Sequence, residues 1–411
     1  MTSFAAGASA SDAIAYLRTP EAIRERCEHL FALCQRGQLE SFTCDLVQLR
    51  RSGDLVLDVT RDRYPDLDIP LHSRWRHFNV GDRDRLAGLE RDLAGNDAIA
   101  IAKAEIDLVV TSVLLDAGAG ATWRYIEADT GHMWSRSEGL AVASFHAFCQ
   151  GTFSGNPDYP WQADASTLSA LTADELATGF QVTENNPLVG LSGRLDLMHR
   201  LGATLAQQWP QAELTARPGN ILDDLRDRAT ADTVTAATVL AVVLQRFGSI
   251  WPGRATIAGV NLGDVWPHPA LPDDGFVPFH KLSQWLTYSL VEPLAKAGIR
   301  VTDLDALTGL AEYRNGGLFV DTGALVPRRA DILTQAFPPG DPVIVEWRSL
   351  TIALLDRVAE QVRQRLQLTA AELPLAKVLE GGTWHAGRQI AATLRPTGVP
   401  PIQLESDGTV F

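Results

Sequence analysis

The chain has 411 residues, 45% of them apolar and 21% charged, the balance of a globular protein with a substantial core. Its formal net charge of −14 argues against a surface for long nucleic acid, which needs a basic face, and leaves room only for a small basic pocket. The four cysteines form no CxxC pair, and no apolar run approaches the ~20 residues that span a bilayer, so a reduced, cytoplasmic protein with no membrane role is expected.

Residues 1–20 lack the basic start and apolar core of a signal peptide. Residues 11–30 have apolar groups at helical spacing and divide at Pro20, after which a second helix begins. Residues 39–60 are amphipathic through Leu46, Leu49, Leu55, Val56 and Val59, with an interruption expected at Gly53. Residues 61–82, RDRYPDLDIPLHSRWRHFNVGD, are dense in aromatic and charged groups and broken by two prolines. They predict a long irregular loop, a type of segment that often carries function. Arg74, Trp75, Arg76, His77 and Phe78 stand together in it as candidate substrate-binding residues. The structural alternative is a surface loop whose arginines pair with its own aspartates.

Residues 86–115 predict a strong helix whose second half is apolar enough to be buried, bracketed by Asp107 and Asp116. A Gly-rich turn follows at 116–125; it lacks both the preceding strand and the GK[ST] of a phosphate loop, and tight helix-end packing explains it equally well. Residues 135–148 begin with Ser-x-x-Glu, the signature of a capping box, ahead of an apolar helix. Residues 188–208, 229–247 and 341–367 predict further helices, the last beginning near Glu346. Residues 257–274 hold the one modest strand-like piece. Helical periods dominate and no βαβ or hairpin series appears. The fold class is mainly α: one large helical domain over 1–411 with minor β, with room for an N-terminal lobe 1–180 and a C-terminal lobe 181–411.

HExxH, GxSxG, GxxxxGK[ST] and a GxGxxG in context are all absent, and the nine histidines are scattered. Neither a metal nor a cofactor is therefore expected. Carboxylate chemistry remains, and 307–320, LTGLAEYRNGGLFV, is where it concentrates. Glu312, Tyr313 and Arg314 lie side by side between apolar flanks, and burying them costs several kcal/mol unless they pair or bind something. A catalytic carboxylate and a structural Glu–Arg pair at a helix end both fit this pattern.

The stretches YLRTPEAIRERC (16–27), RYPDLDIPLHSRWRHF (63–78), IDLVVTSVLLDAGAGATWRY (106–125), SRSEGLAVASF (135–145) and NNPLVGLSGR (185–194) resemble the uracil-catabolism protein family of bacteria and fungi, over nearly the whole chain. That resemblance implies a pathway that converts uracil to its ribonucleotide, opens the ring and passes through ribosylurea-type intermediates. In the C-terminal half, 279–290, 307–320 and 345–355 are similar to three consecutive motifs of the queuosine-salvage proteins. Those are all-helical N-glycosidases, related in fold to DNA glycosylases, that hydrolyse a nucleoside 5′-phosphate. The similarity implies a DNA-glycosylase-like helical core. Lys281 and Gln284 match the first motif, Glu312, Tyr313 and Arg314 the second, with Glu in place of Asp, and Glu346 and Arg348 the third. Ser289 stands where the first motif has an aspartate, which suits a smaller leaving group such as a urea.

Together these imply an N-ribosyl hydrolase acting on a small phosphorylated ribosyl substrate. Glu312 would be the catalytic carboxylate, oriented by Arg314, with Tyr313 on sugar or water. Lys281 and Arg348 are candidates for the phosphate, and Trp75 or Trp285 for stacking on the leaving group. An amidohydrolase attacking the urea C–N bond, and a non-catalytic nucleotide-binding protein, are the alternatives.

Overall fold

In the computed structural model, residues 9–81, 83–212, 216–252, 254–271 and 275–405 are described. The first eight residues, on which part of the N-terminal reading rests, lie outside them, as do Asp82 and residues 272–274 at the ends of predicted segments.

Short-range signals start the helices. Ser9 and Asp12 form a reciprocal capping box ahead of Ala10–Leu17. Thr19 caps Pro20–Gln35, whose first position is the proline. Asp45, Asp97 and Asp341 accept first-turn N–H groups of Leu46–Arg63, Ala98–Leu114 and Pro342–Leu366. The protein is mainly α, as expected.

Several boundaries differ from the sequence reading. Leu46–Arg63 runs through Gly53 without a break. The helix predicted over 86–115 divides into Arg85–Asp92 and Ala98–Leu114, at a turn where Gly95 has φ +99. The helix predicted over 229–247 begins only at Ala236, because Thr233–Thr235 is a strand paired in parallel with Arg300–Thr302. Ser135 makes no side-chain cap bond, so its capping box does not form. Pro342–Leu366 begins a turn earlier than predicted, at the Asp341–Pro342 cap. The irregular loop predicted over 61–82 contains a short helix, Arg74–Phe78. In place of one strand-like piece there are six two-stranded ladders of two- or three-residue strands among the described residues. Strands that short show no alternation in sequence.

Two compact units share the chain, and each draws on both of its halves. The first takes the chain up to His72, Gly253–Gln284 and Asp303–Glu405; the second takes Ser73–Pro252 and Trp285–Thr302. In the first, the buried face of Pro342–Leu366 packs on Pro20–Gln35 and Leu46–Arg63, while Tyr313–Asp321 packs on Trp384–Leu394. A Cβ on Gly387 would overlap the carbonyl oxygen of Arg314, so this second contact is a backbone approach that only glycine allows. In the second unit, Leu191–Gln208 packs on Ala165–Ala170, and Ala98–Leu114 on Arg136–Cys149. No helix among the described residues is long and apolar enough to cross a membrane.

Candidate active site

The first unit gathers Glu312, Tyr313, Arg314, Lys281, Gln284, Glu346 and Arg348. Glu312 is the N-cap of Tyr313–Asp321. One carboxylate oxygen accepts the backbone N–H of Arg314 at 2.7 Å and the other that of Asn315 at 2.5 Å. Burial pushes its pKa up, although these two N–H groups and the charges of Lys281 and Arg314 act in the opposite sense. A carboxylate that is buried yet sits on a helix N-terminus is held in place and is costly to ionise.

Arg314 orients Glu312 through its main chain. Its guanidinium turns away, donating to the carbonyl of Gly398 at 2.7 Å and lying over the Tyr313 ring. The Glu–Arg side-chain pair that the sequence allowed is thus not what holds this helix end. Asn315 donates its amide to the Leu310 carbonyl, and its Oδ1 is buried without a hydrogen-bond partner. Gly316 lies where a Cβ would strike the Trp347 indole, so the glycines after Arg314 serve close packing.

Asp264 organises the elements around Glu312. It accepts both terminal nitrogens of Arg348 at 2.8 Å, the indole N–H of Trp266 at 2.7 Å and the backbone N–H of Lys281 at 3.0 Å. Burial opposes its charge, but Arg348 and these hydrogen bonds outweigh that and hold it well below the usual carboxylate range. Arg348, stacked over Phe279, therefore acts as a fixed strut that sets the start of Lys281–Lys296 through Asp264. Lys281 is itself buried there. Gln284 clips the segment before Glu312: its side chain accepts from Thr308 N and donates to Thr308 Oγ1 and to the Phe279 carbonyl.

Glu346 is buried with one oxygen accepting Ser41 N at 3.1 Å and the other 3.5 Å from His268 Nε2. His268 Nδ1 accepts from Ala270 N, and its buried Nε2 faces Glu346 without making a hydrogen bond. Elsewhere in the unit, Glu380 accepts from Tyr64 Oη and pairs with His72 Nδ1 at 2.9 Å, on a turn of π-helix over Leu379–Thr383. Asp264, His268 and Glu380 were not singled out from the sequence. A guanidinium inside an apolar helix announces that Arg348 needs a carboxylate, but not which one.

The remaining candidates belong to the second unit. Arg74, read as a substrate-binding candidate in an irregular loop, is fully buried and pairs with Asp116, outside that loop, at 3.0 Å, so the alternative of a surface loop paired with its own aspartates does not describe it either. Its Nε donates to Ser112, and its guanidinium lies over the Phe78 and Trp285 rings. Ser289 Oγ accepts from Arg74 N, and the Ser289 carbonyl accepts from the Trp75 indole. Arg76 holds Glu292 with contacts of 2.6 and 2.8 Å, and the His77 ring meets Trp285 edge-on. Packing rather than a phosphate cradle accounts for the Gly-rich turn: Arg194 donates to the carbonyls of Leu115, Ala117 and Gly118.

A profile of the family described as "Protein of unknown function (DUF1688)" matches residues 16–411. The chain is similar to "Protein urg3" of Schizosaccharomyces pombe, at 40% identity over 98% of this chain and 100% of that protein. It is also 40% identical to "Uracil catabolism protein 4" of Lachancea kluyveri, over 97% of this chain and 99% of that one.

Proposed function

Since the chain belongs to the DUF1688 family and is similar over its length to a protein named for uracil catabolism, we propose that it works in that pathway as an N-ribosyl hydrolase. Its substrate is a ribosylurea-type or nucleoside 5′-phosphate intermediate. The observation that carries this reading is the Glu312 carboxylate, buried, raised in pKa and fixed by two backbone N–H groups. The resemblance to queuosine-salvage N-glycosidases read from the sequence around Lys281, Glu312 and Glu346 points the same way.

Breaking an N-ribosyl bond builds positive charge on C1′ and the ring oxygen. An ionised Glu312 stabilises that charge and takes the proton of the attacking water, and its raised pKa makes it the stronger base. The logic is that of the glycoside hydrolases with a different leaving group. Lys281 supplies a fixed cation for the phosphate, and the Asp264–Arg348 pair holds the helix start that carries it. Tyr313, half-buried beside Glu312, is suited to hydrogen-bond sugar or water.

Incubation with ribosylurea 5′-phosphate tests the proposal by its products. Urea and ribose 5-phosphate are expected. Ammonia with an intact N-ribosyl bond would assign an amidohydrolase instead, and calorimetric binding without any product would assign a ligand-binding protein.

A further inference from the structure

Cys34 and Cys44 are ten residues apart in sequence and neighbours in space. Cys34 lies buried near the end of Pro20–Gln35; Cys44 ends the strand Phe42–Cys44 and is partly exposed. Both are free thiols, with their Sγ atoms 2.6 Å apart. The two sulfurs are thus in direct contact, as the pair must be before a disulfide can form. The strand that would be joined is held from its other side by its antiparallel pairing with Leu325–Pro327, which keeps Cys44 facing the helix end. The remaining cysteines are placed differently. Cys27 is buried against Ser349, and Cys149 ends a helix of the second unit.

We propose that Cys34 and Cys44 are a modification site, a dithiol that hydrogen peroxide converts to a reversible intramolecular disulfide. The partly exposed Cys44 reacts first: its thiolate attacks one peroxide oxygen, the O–O bond breaks, and a sulfenic acid and water result. The Cys34 sulfur then attacks the Cys44 sulfur, the S–O bond breaks, and the hydroxyl leaves as a second water with the Cys34 proton. Two thiols lose two electrons and two protons, and one peroxide becomes two waters. Exchange with a small dithiol reverses the step. Cys44 lies three residues after Ser41, whose N–H donates to the buried Glu346 carboxylate.

The test uses the full chain treated with hydrogen peroxide, quenched, alkylated and mapped by mass spectrometry without reduction. Expected are a mass loss of two hydrogens, a peptide joining Cys34 to Cys44, and recovery of both thiols with dithiothreitol. Cys44→Ser and Cys34→Ala, the latter leaving no unpaired hydroxyl in the buried position, should each abolish the linked peptide, while Cys149→Ser retains it. A Cys44 oxidised to the sulfinic acid with Cys34 still open to alkylation would overturn the proposal. So would a bridge that uses Cys27 or Cys149, or four unmodified thiols.

Discussion

Glu312→Gln tests the proposed catalytic role of Glu312 against its role as a helix cap at one atom. In the wild-type protein the two carboxylate oxygens accept the N–H groups of Arg314 and Asn315. Glutamine keeps one acceptor and turns an amide NH₂ toward the other N–H, so part of the cap is lost, about 0.5–2 kcal/mol. Against a typical global stability of roughly 5–15 kcal/mol, that leaves the variant folded. Removing a charge aimed at the transition state should cost turnover about 10²–10³-fold, which the lost cap cannot mimic. Urea unfolding measures the first quantity and ribose 5-phosphate release the second. The pH dependence gives a second signature. Burial raises Glu312, so the fold prefers the neutral acid: its contribution to stability is complete below the ordinary value of about 4.3 and is lost as pH rises through the raised one. Glutamine does not ionise, so the stability gap between variant and wild type narrows as pH rises. Wild-type turnover moves the other way, climbing as Glu312 ionises. A variant whose turnover stays within tenfold of wild type would remove Glu312 from the mechanism and leave it a helix cap.

Asp264→Asn strands the Arg348 guanidinium in the interior and should cost about 3–5 kcal/mol in urea unfolding. The lowered pKa of Asp264 means its contribution is present above the ordinary value of about 3.9 and is lost as pH falls further, so wild-type stability should drop below that pH and the variant's less steeply. A loss no larger than that of an exposed ion pair, about 1 kcal/mol or less, would refute the strut role of Arg348. Gly387→Ala forces a methyl group onto the Arg314 carbonyl and should cost about 1–3 kcal/mol in thermal or urea unfolding. The same displacement loosens the Arg314 N–H that holds Glu312, so turnover should fall as well.

Much of the helical framework was legible in the sequence because it is written in local terms. Apolar spacing along 341–367 and Pro20 at a helix start act within a few residues, and the structure keeps them, whereas the capping box read at Ser135 does not form. The late start of the helix predicted over 229–247 has a long-range cause: Thr233–Thr235 pairs with Arg300–Thr302, a segment far away in the chain. The stretch 307–320 announced itself because three polar groups between apolar flanks need an explanation. Its order in the chain did not reveal that Arg314 serves through its backbone while its guanidinium reaches Gly398. Nor did it reveal that Arg74 is fully buried against Asp116.

By itself, then, the sequence determined the helical class and the family resemblance, since composition, period and motif are properties of neighbours along the chain. Tertiary structure alone decided the partners: Asp264 for Arg348, Ser41 and His268 for Glu346, Cys44 for Cys34. A buried charge requires a counter-group, but any carboxylate in the chain meets that demand on paper. Only the packing of distant segments brings one of them within 3 Å.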